Sequence, residues 1–379
     1  MDEFKYMEIV QWAKQAIIER GLLAGDRFFS ESELCNIHNV SRQTVRQALM
    51  FMEREGILRR RQGSGTFIQS SQFEFRKPNF TVGVISTYFS DYIFPDIVTG
   101  IERVLSQNNV VMQLATTSNM VAEETRALEA MLAQNVGGLI VEPSKSALPS
   151  PNMALYNEIG ARNIPLLFIN AKYAWSSFPC VAMDDVAAGR IATDHLLSLG
   201  HKKISGVFIF ENIQGHKRYE GFMRSLDGSD IPMPEKRVMW FSTGEQRSLF
   251  TQSRDRVLSL LEDSTAIVCH NDDLAVKLLD FCKQQGISVP DDMSVIGIDD
   301  ANMAKICEVP LTSVRHPKQK LGELAANALL EMIKDPASQT EDCFIVPELV
   351  ERSSTAAIGS RITKALANAN ANVNAIANV

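Results

Sequence analysis

The chain has 379 residues, 45% of them apolar and 22% charged, and a net charge of -7 at neutral pH; at roughly 100–200 residues per domain it makes two or three globular domains. No run of about 18 apolar residues offers a membrane-spanning helix, and the charged start Met1-Asp2-Glu3-Phe4-Lys5 opens no secretory stretch. Six scattered cysteines, with no CxxC and no paired Cys/His spacing, argue against a structural zinc site and for a reducing, cytoplasmic setting.

Charge is unevenly spread. Residues 1–77 hold 12 basic and 10 acidic side chains, leaving 26 basic and 35 acidic ones for the rest, so a slightly basic head precedes an acidic body. In the head, Ile9, Trp12, Ala13, Ala16 and Ile17 follow the period of an amphipathic helix over 4–20, with Gly21 placed to end it. Ser30-Glu31-Ser32-Glu33 has the spacing of a capping box at the start of a short helix. Asn39 suits the turn, Ser41 a second N-cap, and Val45, Leu49, Met52 and Ile57 line one face of a third helix. Two short helices joined by a tight turn match a helix-turn-helix. The second leaves Arg42, Gln43 and Arg46 on its exposed side, where arginine can pair with guanine and glutamine with adenine. Residues 57–68 then read as two β-prone stretches around Gly63-Ser64-Gly65, the first carrying Arg59-Arg60-Arg61. Such a hairpin lays backbone amides against phosphates.

The order Ser30-Glu31-x-Glu33-Leu34, Val40-Ser41-Arg42-x-Thr44-Val45-Arg46-x-Ala48-Leu49, Glu55-Gly56-x-Leu58 and Gln62-Gly63-x-Gly65-Thr66-Phe67 resembles the GntR-type winged helix-turn-helix over residues 4–68. The resemblance implies double-stranded operator DNA as partner. It places Ser41, Arg42, Thr44 and Arg46 at bases and phosphates and Gln62 and Gly63 at the wing tip, with Glu31 and Gln43 as further candidates. Many members have arginine where this chain has Ser32.

A polar stretch, 71–79, reads as a linker. From Thr81 on, strands alternate with 10–15-residue helices: a strand near 81–86, a helix near 96–107, a strand near 110–115, a helix near 122–134, and strands at 138–141 and 166–169. The rhythm restarts over 187–199, 204–210, 217–225, 247–261, 265–269, 274–284 and 294–298. This indicates parallel sheets with right-handed crossovers, in two halves of roughly 80–178 and 180–306. Ligands bind such sheets beyond the strand C-termini, and polar clusters stand there. They are Tyr88-Phe89-Ser90-Asp91-Tyr92, Glu142-Pro143-Ser144-Lys145, Asn170-Ala171-Lys172-Tyr173, Gln214-Gly215-His216-Lys217-Arg218, His270-Asn271-Asp272-Asp273 and Asp299-Asp300, with His316 after the last crossover. Planar donors, acceptors and aromatic faces suit a sugar; Asp272 and Asp273 also fit as caps of the next helix. No GxGxxG follows a strand and no GxxxxGK[ST] occurs, so nucleotide chemistry has no support and no cofactor is expected.

Asp194-His195-Leu196-x-x-Leu199-Gly200-His201, Arg218-x-x-Gly221-Phe222, Asn271-Asp272-x-x-Ala275, Pro290-x-Asp292-Met293-Ser294-Val295-Ile296-Gly297-Ile298-Asp299-Asp300 and Pro310-Leu311-Thr312-Ser313-Val314 resemble the LacI/GalR repressors and the periplasmic sugar-binding proteins. The resemblance covers 80–355 and implies two doubly wound α/β lobes with a small-molecule sugar between them. Arg218, Asn271 and Asp299 then hold its hydroxyls, with Asn170 and His316 as further contacts and Tyr88, Asp91, Tyr92, Glu142 and Lys145 from the facing loops. A GntR head on a LacI/GalR body, with Ser90-Asp91-Tyr92-Ile93-Phe94-Pro95 and Val141-Glu142-Pro143-Ser144-Lys145-Ser146-Ala147-Leu148, resembles the arabinose-responsive repressors of that family. This implies L-arabinose as effector and arabinose-use genes as targets; spacing and composition do not separate arabinose from another pentose, nor release by ligand from co-repression. The organisation expected is a winged helix-turn-helix domain over 1–70, the linker, a sensor and dimerisation domain over 80–355, and an Ala/Asn-rich tail over 356–379, disordered or appended. The protein reads as a homodimeric regulator and not an enzyme, with no membrane partner, its lobes closing about segments near 178–181 and 308–314.

Overall fold

A computed structural model describes residues 2–20, 22, 25–54, 56–61, 65–69, 80–89, 92–232, 235–335 and 340–358. The chain divides into two compact units, Met1–Asn79 and Phe80–Val379. The predicted linker 71–79, the tail from 359 on, and Gln62, Gly63 and Asp91 lie outside the described residues. Among those described, no helix is long and apolar enough to cross a membrane.

The first unit is three helices and a hairpin: α1 (Asp2–Glu19), α2 (Glu31–His38), α3 (Arg42–Arg54), β1 (Leu58–Arg61) and β2 (Gly65–Ile68). The capping box forms as its spacing predicts: Ser30 Oγ accepts from the Glu33 N–H at 3.3 Å, and Glu33 accepts from the Ser30 N–H at 2.7 Å. Asn39 ends α2 in the left-handed region at φ 52, which asparagine tolerates better than most residues. Ser41 Oγ then caps α3 through the Thr44 N–H, at 3.2 Å. Strands β1 and β2 pair antiparallel from Leu58 opposite Ile68 to Arg61 opposite Gly65. Ile9, Ala13, Leu34, Val45, Leu49, Met52, Leu58 and Ile68 meet in one core, and each full burial of a side chain the size of Leu or Ile contributes about 1.5–3 kcal/mol.

The second unit runs β3 (Thr81–Ser86), α4 (Phe94–Gln107), β4 (Val111–Thr116), α5 (Val121–Ala133), β5 (Gly138–Val141), α6 (Met153–Ala161), β6 (Leu166–Ile169), β7 (Cys180–Met183), α7 (Asp185–Ser198), β8 (Ile204–Ile209) and α8 (Ile213–Asp227). It continues through β9 (Val238–Phe241), α9 (Leu249–Gln252), α10 (Arg254–Glu262), β10 (Ala266–Cys269), α11 (Asp272–Gln284), β11 (Ser294–Asp299), α12 (Asn302–Ile306), β12 (Thr312–Arg315), α13 (Lys318–Lys334), β13 (Cys343–Ile345) and β14 (Glu348–Val350). Two six-stranded sheets result, ordered β13-β7-β6-β5-β3-β4 and β14-β12-β11-β10-β8-β9. All pairs are parallel except the edge pair β12–β14. Helices cover both faces, so β5 and β6 are buried along their whole length and read as unbroken apolar runs.

The lobes are not sequential halves of the chain. Strand β7 pairs with β6 in the first sheet, and after the second lobe the chain returns to supply α13, whose Leu321, Ala325 and Leu329 pack with Val82, Ile97 and Ile140. The chain therefore crosses between lobes three times, at 183–185, 315–318 and 345–348, rather than near 178–181 and 308–314. The helix predicted over 247–261 is broken at Ser253, between α9 and α10. Residues 356–358 of the predicted tail are packed on the second lobe: the Ile358 N–H donates to the Leu199 carbonyl at 2.9 Å, and the Ala356 carbonyl meets His201 Nε2 at 3.0 Å.

Each lobe places two helices in backbone contact through reciprocal glycines. A Cβ added to Gly100 of α4 would lie 2.2 Å from the Gln319 carbonyl oxygen, and one on Gly322 of α13 would lie 2.1 Å from that of Ile97. In the second lobe, a Cβ on Gly189 of α7 would stand 2.0 Å from the Arg218 oxygen, and one on Gly221 of α8 would stand 2.0 Å from that of Val186.

Candidate nucleic-acid interface and effector cleft

In the first unit, the start of α3 projects Arg42, Gln43 and Arg46 into solvent, with Ser41 exposed just before it. Thr44, predicted among the DNA contacts, is buried instead; its hydroxyl lies 2.9 Å from Ser41 Oγ and serves the cap. Glu31 joins two basic elements: its carboxylate accepts from Arg46 Nε at 3.0 Å and lies 3.3 Å from Arg60 Nη2 on β1. Arg60 is fixed a second time, its N–H donating to Glu53 at 2.9 Å. Arg59 and Arg61 are exposed on the same strand, Arg61 over the Phe67 ring at 5.1 Å. The surface can therefore offer guanidinium groups from a helix N-terminus and a hairpin together, the geometry of a winged head at a major groove and its flanking phosphates.

In the second unit, the strand C-termini of the two lobes face each other, and Tyr92 spans between them. It precedes α4 of the first lobe at φ 75. Its hydroxyl donates to Asp299 Oδ2 at 2.5 Å and accepts from the Asp272 N–H at 3.1 Å, both in the second lobe. Burial, and then the Asp299 charge, hold the phenol well above its ordinary range. Asp299 ends β11 at φ 114 and Asp300 follows at φ 47. Two left-handed non-glycine residues in succession store backbone strain, and the N–H of Ala301 donating to Asp272 Oδ2 at 2.7 Å holds that turn.

Arg218 is bonded on three sides: Nε to Asp185 at 2.7 Å, Nη1 to the His270 carbonyl at 2.5 Å, and Nη2 to Asp299 Oδ1 at 3.1 Å. Burial opposes its charge, but Asp299 and Asp185 outweigh burial and raise its pKa. The close approach of α7 and α8 is what sets Arg218 against Asp185. Burial pushes the imidazoles of His270 and His316 well below their usual range, with Arg218 adding to it. Each ring is therefore neutral, and each Nδ1 is buried without a partner among the described residues. The Asp272 carboxyl, accepting from Ser313 at 2.6 Å, is pushed up to about 8 by burial and then by Asp299.

The first lobe presents a second cluster. Glu142 Oε2 accepts from Ser86 Oγ (3.2 Å), the Thr87 N–H (2.9 Å) and Thr87 Oγ1 (2.6 Å), while Oε1 accepts from Asn170 Nδ2 (2.8 Å). Burial raises its pKa. Asn170 is left-handed at φ 62, and its Oδ1 is buried without a partner among the described residues. Tyr88 stays 40% exposed, 5.6 Å from the Phe94 ring.

Of the predicted effector residues, Tyr92, Arg218, Asp299 and His316 thus come together, the last through its N–H on the Asp299 carbonyl at 3.3 Å, and Glu142 with Asn170 form the facing group. Two differ from expectation. Lys145 is engaged elsewhere, 2.6 Å from Glu211, and the Asn271 side chain caps α11 by accepting from the Leu274 N–H at 3.0 Å. The predicted caps have other partners: Asp272 is buried as above, and Asp273 pairs with Lys277 at 2.7 Å. Sequence reading missed Asp185, which meets Arg218 only because two helices lie side by side, while Lys318, in the polar stretch that opens with His316, donates its Nζ to the Asp300 carbonyl at 2.8 Å. Among the described residues no group of His, Cys, Asp and Glu could hold a metal ion. Neutral imidazoles, unpartnered buried acceptors and a compensated guanidinium suit an uncharged polyhydroxy compound.

Residues 5–68 match the family model of bacterial regulatory proteins, gntR family, and residues 193–355 that of a periplasmic binding protein-like domain. The chain is 40% identical over 357 residues to the arabinose metabolism transcriptional repressor of Geobacillus stearothermophilus, covering 93% of this chain and 97% of that protein. It is 37% identical over 365 residues to the protein of the same name from Halalkalibacterium halodurans, with the same coverage. Among solved structures, a LacI family transcriptional regulator from Enterococcus faecium with bound ribose is 28% identical with a TM-score of 0.61, over 73% of this chain and 99% of that one.

Proposed function

Because the chain belongs to the family of arabinose metabolism transcriptional repressors, we propose that it represses arabinose-use genes as a homodimer and leaves its operator when L-arabinose enters the cleft. Two heads would read half-sites about 34–36 Å apart, with Arg42, Gln43 and Arg46 at bases, Ser41 at the backbone, and Gln62 and Gly63 at the wing tip. The observation that carries the effector reading is Tyr92, which reaches from one lobe to a carboxylate and an N–H of the other. A sugar hydroxyl competes for those same groups, so binding and the relative setting of the lobes are coupled. Arg218, Asp299, His270 and His316 from one lobe, and Glu142 and Asn170 from the other, would surround it.

Couplings of this kind are typically about 1–3 kcal/mol, or 5–150-fold in affinity. Full-length protein is titrated onto an operator chosen by binding-site selection, with L-arabinose, D-xylose, D-ribose or D-galactose added, and read by fluorescence anisotropy. Weakening within that range by L-arabinose alone is the expected result. Tighter binding with sugar would reverse the sign and make the ligand a co-repressor; indifference to all four would remove the effector assignment.

A further inference from the structure

The three crossovers link the lobes along one side, running between the β13-β7 end of the first sheet and the β14-β12 end of the second. The far side has no covalent link, yet it is joined. Lys145, in the loop after β5, sets its Nζ 2.6 Å from Oε1 of Glu211, in the loop after β8. The Glu211 carbonyl accepts from the Ala147 N–H at 3.0 Å, and Ser146 Oγ accepts from the Ile213 N–H at 3.0 Å. Asn119, after β4, donates to Thr243 Oγ1 after β9 at 2.8 Å and accepts from the Lys145 N–H at 2.8 Å. Both jaws are stiff. Behind Lys145, the fully buried Glu124 accepts the Ser144 N–H at 2.5 Å; behind Glu211, the Thr243 N–H donates to its Oε2 at 2.7 Å.

We propose that Lys145 and Glu211 form a clasp on the open side of the cleft, which must part for a small polar effector to enter or leave. The proposal rests on reading the cleft as the effector site. Glu211 is only 7% exposed in its side chain, so bulk salt screens this pair less than a surface pair. With the hinge side closed by the chain itself, passage runs past the clasp. Lys145 is then a gating residue rather than a sugar ligand.

The test uses the full chain with Lys145→Met, Glu211→Gln, both together, and Lys145→Arg. Hydrogen exchange without sugar comes first: the Ala147, Ile213 and Thr243 amides should exchange at least tenfold faster in the first three variants and stay slow in Lys145→Arg. Amides of α4 and α13 should not change in any of them, which reports an intact fold. Stopped-flow tryptophan fluorescence with L-arabinose should then show association and dissociation both faster by fivefold or more, with the double variant no faster than the singles. Unchanged exchange at those three amides, or additive effects of the two substitutions, would overturn the clasp. If the unaltered protein gives no signal with L-arabinose, the effector reading fails, while the exchange data still decide whether the clasp exists.

Discussion

Arg218 is a full charge with 4% of its surface exposed, and its environment makes Asp299 a residue with two duties. Were Asp299 a sugar contact alone, Asp299→Ala would abolish release by sugar and leave DNA affinity intact. In the structure Asp299 supplies half of the carboxylate pair around Arg218 and accepts the Tyr92 hydroxyl. Its removal leaves a buried guanidinium under-compensated, which costs about 3–5 kcal/mol. Urea unfolding should show that loss; a midpoint unchanged from the parent would mean that water replaces the carboxylate. Tyr92 and Asp299 are legible as single residues, because aromatic and acidic side chains at strand ends stand out. That they bond to each other across 207 positions is tertiary information, and no local pattern carries it.

Asp272 supplies a pH dependence at the same scale. Its folded-state pKa of about 8 stands above the roughly 3.9 of an unfolded aspartate. Over that window the folded state keeps a proton that the unfolded chain has released. The stability this gives is complete below about pH 4 and is lost as pH rises through 8, at up to about 1.4 kcal/mol per pH unit. Between pH 7 and 8, above the range in which His270 and His316 take up protons on unfolding, unfolding midpoints should fall, and Asp272→Asn should flatten the trend. An equal decline in that variant would assign the slope to other groups.

Among elements, the helix pairs decide where the site groups stand. Gly189 and Gly221 let α7 and α8 touch backbone to backbone, and this contact delivers Arg218 to Asp185. In Gly189→Ala the added carbon meets the Arg218 carbonyl at 2.0 Å, a backbone atom that cannot swing aside. Overpacking of this sort costs about 1–3 kcal/mol. It should lower the thermal midpoint and weaken sugar binding together, whereas alanine at the exposed Arg190 next to it should do neither. Elements fixed by local chemistry were readable in advance: the capping box at Ser30, the turn at Asn39, and β5 and β6 with apolar residues on both faces. Those fixed by a distant partner were not. Gly100 and Gly322 look like ordinary helix interruptions until the two helices are side by side, and the three-residue strands β13 and β14 have too few positions to show a period.

At the scale of the whole molecule, two lobes were foreseeable from the restarting α/β rhythm, but their true membership was not. Nothing before residue 316 signals that the chain will return to the lobe it left at Met183. That return orders events in time. The core of the first lobe lacks Leu321, Ala325 and Leu329 until about 150 further residues have been made, roughly 8–30 s at ordinary synthesis speeds of 5–20 residues per second. A nascent chain therefore carries an unfinished lobe, its apolar face on α4 uncovered, while every strand of the second sheet except β14 has already been made. Among the described helices the last to leave the ribosome is α13, and it brings the first lobe the apolar cover that α4 lacks until then.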